Sequence, residues 1–333
     1  MKTQKPSIDK ASLEITKVNL VENEQFEHIT VLLQEAVDAL VTDPSGFYVD
    51  GTFGRGGHTS KVLSALDENG QLLAIDKDLE AIDFAHERFK DDSRFSIAHG
   101  SFARVNEFAS QAKPEQKVQG ILLDLGVSSP QLDDPTRGFS FQHDGPLDMR
   151  MDTSSGQSAE QWIATATEKE IADVIFTYGE DKFGRRMARA IVAEREKEPI
   201  TTTARLAQIV KDANPAWEKG KHPATRAFQA IRIQVNQELN DLETCLEESL
   251  EALEVGGRLV IISFHSLEDR IVKRFIRKHV KGDDHLPAGI PYTNDMLRCR
   301  LKDISKKVKA SKREVDDNPR SRSAVMRVTE KIA

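Results

Sequence analysis

The stretch that most constrains this chain is Tyr48-Val49-Asp50-Gly51-Thr52-Phe53-Gly54-Arg55-Gly56-Gly57-His58. A short apolar run, Phe47-Tyr48-Val49, ends in a carboxylate and is followed by four glycines in seven positions. Thr59-Ser60-Lys61-Val62-Leu63 then opens a helical pattern. This reads as a strand, a tight loop and a helix. Glycines permit positive φ and let a ligand lie against bare backbone, while the free N–H groups of the helix's first turn face it. A nucleotide-like cofactor is the natural occupant, although a plain tight turn would read the same way.

The spacing Gly51-x-x-Gly54-x-Gly56-Gly57 differs from the Gly-x-Gly-x-x-Gly of dinucleotide sites. Asp50 before the loop would repel a pyrophosphate but suits a cationic amine or sulfonium. S-adenosylmethionine fits that charge better than NAD.

The rest of the chain extends the pattern. Leu72-Leu73-Ala74-Ile75-Asp76 is an apolar strand ending in a carboxylate, followed by a helix with Leu79, Ile82, Ala85 and Phe89 on one face. Asp76 is placed to accept hydrogen bonds from ribose hydroxyls or, alternatively, to cap that helix. Phe95 to Ala98 and Gly120 to Asp124 are further strands. Near-continuous apolar strands alternating with helices predict a parallel sheet covered on both faces, with ligands beyond its carboxyl ends, where Asp50, Asp76, Phe102 and Asp124 fall.

After Asp124 the rhythm breaks: loops and helices run to about Pro223 without a convincing strand. An inserted helical domain over residues 129–223 is expected, overhanging the site as a substrate-reading element. It divides the sheet domain into residues 28–128 and 224–333. Phe228 to Leu253 shows helical spacing throughout and predicts one helix of about 30 residues, roughly 45 Å long. Gly256-Gly257 stops it, Arg258 to Ser263 supplies a fifth strand, and Leu301 to Val308 with Ser323 to Thr329 suggests a terminal antiparallel pair.

Composition narrows the class. No stretch approaches the roughly 18 to 20 apolar residues of a membrane span, and residues 1–27 lack the apolar segment of a signal peptide. They read as a flexible cytoplasmic extension. Cys245 and Cys299 have no metal-ligand spacing, so neither a disulfide nor a metal site is expected. Net charge is −7, yet residues 270–333 carry 18 Lys/Arg against 8 Asp/Glu. Such a basic end suits nucleic acid, or is simply a solvated surface.

Several of these segments resemble one family, the MraW group of ribosomal RNA small subunit methyltransferases. They are His28 to Leu33, Asp50 to His58, Leu122 to Asp133, Arg137 to Phe141, Asp144 to Asp152, His222 to Arg226, Ser263 to Arg270 and Asn318 to Ser323. The resemblance implies an α/β fold, a Rossmann-like S-adenosylmethionine-dependent methyltransferase sheet with an inserted helical domain. It also implies methyl transfer to the exocyclic N4 of a decoding-centre cytidine in 16S ribosomal RNA within the small subunit, in the cytoplasm. Cofactor positions carry over onto Gly56, Gly57, His58, Asp76, Phe102, Asp124 and Gln131. Oligomeric state, a homodimer included, stays open.

For the chemistry itself, cytosine N4 is a poor nucleophile, so an acceptor for its N–H at the end of the fourth strand is needed, and Asp124 stands there. His143, Asp144, Asp148 and His265 are further polar candidates. Phe139 and Phe141 are candidates for gripping an extruded base, or are core residues. Lys306, Lys307, Lys312, Arg313, Arg320 and Arg322 are expected to meet phosphates. No cysteine stands in the loop directly after the fourth strand, which argues against covalent attack at C6. A dehydrogenase and a non-enzymatic RNA-binding factor are the rival readings.

Overall fold

The computed structural model describes residues 30–216, 222–283 and 296–333, with residues 286 and 293 between the last two. The N-terminal extension, with His28 and Ile29, lies outside them. The chain begins with α1 (Leu33–Leu40), then β1 (Phe47–Asp50), α2 (Gly57–Ala65), β2 (Gln71–Asp76), α3 (Leu79–Phe89), β3 (Phe95–His99), α4 (Val105–Ala112) and β4 (Val118–Asp124). Next come α5 (Ser129–Asp133), α6 (Ala159–Thr165), α7 (Glu168–Gly179), α8 (Gly184–Arg195), α9 (Thr203–Ala213), α10 (Thr225–Asn236) and α11 (Glu238–Ala252). The chain closes with β5 (Leu253–Ser263), α12 (Ser266–Lys281), β6 (Leu301–Asp303), β7 (Val308–Lys309), α13 (Lys312–Asp317) and β8 (Val325–Lys331).

One sheet results, in the order β3-β2-β1-β4-β5-β8-β6, with β7 also paired to β8. β1 to β5 run parallel, while β8 is antiparallel to β5, β6 and β7. The expected terminal pair is thus a three-partner ladder around β8. The strand order reverses between β1 and β4, and a crevice opens there beyond the carboxyl ends of the strands.

The apolar strands are explained by burial on both faces. Phe47, Val49, Leu73, Ile75, Ile121 and Leu123 join a core with α4, α11 and α12, whereas Tyr48, Leu72 and Leu122 join α1, α2 and the C-terminal segment on the other side. Successive side chains alternate faces, so a strand covered on both sides must be apolar at every position.

The insert has its own core, from Phe139 through Ile231. α10, which follows residue 223, adds its Ala227, Phe228 and Ile231 to the same cluster. The single long helix expected over residues 224–253 is two. Gln237 adopts φ 55° and ψ 31°, ending α10 and starting α11. Apolar spacing runs through the break and conceals it. The Asn236 amide turns away to donate to Met149 O at 2.7 Å and accept from Met151 N at 2.7 Å, and Arg232 bridges the break to Glu238 at 2.8 Å.

Candidate active site

The glycine loop between β1 and α2 forms one wall of the crevice. Gly54 (φ +55°) donates its N–H to Asp76 Oδ2 at 2.7 Å, which sets the loop against the end of β2. At Gly57 a side chain would collide with Thr30 Oγ1 and lie 3.1 Å from Thr30 Cβ. Gly57, His58 and Thr30 line the crevice together. Gly56 does not line it. It takes φ +71°, and a Cβ there would sit 2.8 Å from the Phe53 ring and 3.0 Å from that of Phe89. Its glycine serves the turn, and only the neighbouring residue reaches the ligand space.

Asp76 faces the crevice with both oxygens on backbone: Oδ2 on Gly54 N and Oδ1 on Asp78 N at 2.8 Å. Each oxygen retains a lone pair, so the carboxylate can still accept ribose hydroxyls. The cap of α3 is instead Asp78, which accepts from Glu80 N at 3.1 Å. Burial raises the Asp76 carboxyl to about 6, against the opposing effect of its two backbone hydrogen bonds. Phe102 follows β3 in a short 3-10 turn and lines the same wall.

Asp78 joins the insert to the sheet domain. Its Oδ2 accepts Gln131 Nε2 at 2.8 Å and Arg137 Nη1 at 2.9 Å, both buried. Arg137 Nη2 reaches the carbonyls of Arg150 and Met151, each at 3.1 Å. Gln131 Oε1 accepts from Ser128 N at 3.0 Å, completing a capping box at α5. Gln131 therefore shapes the crevice wall as much as it faces a ligand. Arg137 was absent from the expected site residues. The sequence showed it only as the first residue of Arg137-Gly138-Phe139-Ser140-Phe141, and a buried charge gives no local signal.

Asp124 ends β4 inside the crevice. Its backbone N–H donates to Thr52 Oγ1 at 2.6 Å, and its Oδ2 lies 3.6 Å from Nδ1 of buried His58, beyond ordinary hydrogen-bond length. Oδ1 is buried and makes no hydrogen bond within the described residues. Such an atom is costly unless a ligand donor meets it. Burial, then the charges of Asp50 and Glu268, hold this carboxyl well above its ordinary range. Asp50, raised by burial, accepts Thr59 Oγ1 at 2.7 Å and Thr52 N at 3.1 Å. Clustered carboxylates that destabilise one another's charge favour a cationic occupant.

The remaining candidates lie elsewhere. His143 is exposed and does not line the crevice. Asp144 accepts Ala204 N at 2.9 Å, tying its loop to α9, and Asp148 is engaged by Arg150 at 2.7 Å. His265 caps α12: its Nδ1 accepts Glu268 N at 3.4 Å, while Glu268 Oε2 accepts Phe264 N and His265 N at 2.8 and 3.2 Å. Phe264 and Glu268 line the crevice, and His265 does not. Phe139 is 6% exposed within the insert's core, and Phe141 stacks edge-on against Phe228 at 4.8 Å. Both take the core role left open by the sequence. Lys306, Lys307, Lys312, Arg313, Arg320 and Arg322 are all exposed. Arg320, however, also lines the crevice and binds Asp133 at 2.7 Å. Among the described residues no His/Cys/Asp/Glu cluster suits a metal, and no helix is long and apolar enough to cross a membrane.

A crevice at the reversal point of a parallel sheet, with the carboxylates that end β2 and β4 on its wall, Asp50 of β1 buried against Thr52 and Thr59, and a glycine loop beneath α2, defines an S-adenosylmethionine-dependent methyltransferase. Asp76 suits the ribose hydroxyls, Phe102 offers a flat face, and Asp124 presents an unused acceptor among anions that suit a sulfonium. The chain belongs to the MraW methylase family, which it matches over residues 25–332. It is 56% identical over 307 residues to a protein of Chromohalobacter salexigens named ribosomal RNA small subunit methyltransferase H, covering 92% of each chain. A protein of the same name from Marinomonas sp. is also 56% identical, over 92% of this chain and 98% of that one. An rRNA methylase structure from Streptococcus thermophilus is 11% identical with a TM-score of 0.39, covering 90% of this chain and 92% of that one.

Proposed function

We propose that this protein transfers a methyl group from S-adenosylmethionine to the exocyclic N4 of a cytidine in the 16S RNA of the small ribosomal subunit. Ribosomal RNA as the substrate is supported by the two relatives so named. The observation that carries the chemistry is Asp124, a buried carboxyl at the end of β4 with one oxygen that has no hydrogen-bond partner among the described residues. The cofactor supplies an electrophilic methyl on a cationic sulfur. Asp50, Asp124 and Glu268 stabilise that charge, and Asp76 accepts the ribose hydroxyls.

Asp124 accepts a hydrogen bond from the target amine, which returns lone-pair density to nitrogen and orients it for attack. A thiol route through C6 has no support: Cys245 is buried in α11 with its thiol pushed up to about 12, and neither it nor Cys299 lines the crevice. The insert, clamped to the sheet domain by Arg137 and Gln131, presents the RNA surface from which one base is extruded.

Asp124→Asn keeps the size and replaces an acceptor with a donor. Single-turnover transfer to unmodified small subunits is expected to fall by about 10² or more. Transfer at the wild-type rate, with label in N4-methylcytidine, would remove Asp124 from the chemistry.

A further inference from the structure

The basic end of the chain divides across the sheet. Residues 304–310 and 324–328 pack on the α1–α2 side through Ile304, Val308, Ala310, Ala324, Met326 and Val328. α12 packs on the opposite side, burying Leu267, Ile271, Val272, Phe275 and Ile276 against α4 and α11. That burial fixes the rotation of α12, and its outer face presents Arg270, Lys273, Arg274, Arg277, Lys278 and Lys281 to solvent. These positions follow the three-and-four spacing of one helical face.

The cations are not equivalent. Arg270 binds Glu180 at 2.7 Å, Lys278 binds Glu247 at 3.0 Å and Lys281 lies 3.9 Å from Asp283. Lys273, Arg274 and Arg277, in the middle of the row, have no ion pair with the described residues. A purely solvated helix face would gain from acidic neighbours at i±4; the one acid so placed, Asp269 four residues before Lys273, is engaged by Arg327 at 2.7 Å, and the face between Arg270 and Lys281 carries none. The row extends about 16 Å. Its first turn adjoins the crevice, since Phe264 and Glu268 line it. Its N-terminal end also touches the insert, where Ser266 Oγ and Arg270 both bind Glu180 just after α7.

We propose that the outer face of α12 is an RNA-docking track, in which Lys273, Arg274 and Arg277 contact backbone phosphates of the strand entering the crevice. It is separate from the basic residues of the C-terminal segment, and the crevice rim lies between the two. This rests on the reading that the substrate is ribosomal RNA. Phosphate contacts position a nucleic acid without reading its sequence, so the track sets affinity and orientation, while base choice stays with the crevice.

The test is the variant Lys273→Gln/Arg274→Gln/Arg277→Gln, measured for binding to 16S RNA over a range of salt concentrations. Three lost contacts reduce the slope of log affinity against log salt by about 2 to 3. Cofactor affinity and melting midpoint are expected to match the wild type, since the three side chains touch neither core nor crevice. Charge reversal to Glu at the same positions is expected to weaken binding further. An unchanged slope and affinity on 16S RNA would overturn the proposal. So would weakened binding to assembled subunits with an unchanged slope on naked RNA, which would assign the face to a protein. A wild type that binds neither 16S RNA nor assembled small subunits overturns the functional reading as well. A wild type that binds either, with an identical variant, overturns this inference only.

Discussion

The junction at Arg137 makes a quantitative prediction. Arg137 is 6% exposed and donates to Asp78 at 2.9 Å and to two carbonyls at 3.1 Å. Arg137→Met fills similar volume but leaves Asp78 with Gln131 as its remaining side-chain donor and strips the carbonyls of Arg150 and Met151 of this partner. Breaking a buried pair from one side costs about 3–5 kcal/mol. That is a large share of the roughly 5–15 kcal/mol that holds a domain together. Arg137→Lys keeps the charge, but one ammonium cannot reproduce the planar fork that serves the carboxylate and both carbonyls, so most of the loss should remain.

Urea denaturation followed by fluorescence, with and without S-adenosylmethionine, measures the loss. Because Asp78 and Met151 both line the crevice, calorimetric titration should also show weaker cofactor binding. Asp78→Asn combined with Arg137→Met should cost less than the sum of the two single changes, since each removes the same contact. An Arg137→Met protein within about 1 kcal/mol of wild type, or strict additivity in the cycle, would refute the junction.

Other predictions follow from the same geometry. Gly57→Ala should lower stability by about 1–3 kcal/mol and weaken cofactor binding, because the new methyl collides with Thr30. Thr30→Gly in the same chain should restore much of both, and a failure to rescue would mean that the glycine answers to something else. Cofactor affinity should fall about tenfold per pH unit below about 6. The sign follows from the raised Asp76 pKa: its contribution to folding is fully present below the ordinary value of 3.8 and lost as pH rises through about 6, whereas ribose binding needs the ionised form. Asp124, shifted the same way, adds to the fall, and a flat titration curve from pH 5 to 8 would contradict the role of Asp76. Lys306→Gln/Lys307→Gln should reduce the salt slope of RNA binding by about 1.4 to 1.8, and an unaltered slope would return both residues to solvated surface.

Much of the fold was legible because both faces of the sheet are buried. β1, β2 and β4 are near-continuous apolar runs that end in an acid, and the carboxylates of β2 and β4 line the crevice, whereas the edge strand β3 is half exposed and carries Ser96. Glycines were legible as a group but not one by one: Gly56 and Gly57 are adjacent, yet only Gly57 lines the crevice. The break at Gln237 was hidden because the apolar spacing continues across it and neither Gly nor Pro marks it. Its cause is tertiary, the Asn236 amide holding Met149, which itself sits at φ 62°. Arg137, Asp78 and Glu268 were missed as site residues for a related reason. A buried charge is intelligible only through its partner, and Arg137 and Asp78 stand 59 positions apart. Phe139 and Phe141 show the converse: spacing alone leaves base-gripping and core packing equally open, and their packing against the residues around Phe228 favours the second.

The reaction itself is tested most directly by incubating the protein with S-adenosylmethionine carrying a labelled methyl group and small ribosomal subunits that lack the modification. The RNA is then digested to nucleosides and the labelled species separated. The account predicts label in N4-methylcytidine, at one site of the 16S RNA, and its loss with Asp124→Asn. Label in 5-methylcytidine, label in ribosomal protein, or none on any ribosomal particle would contradict it.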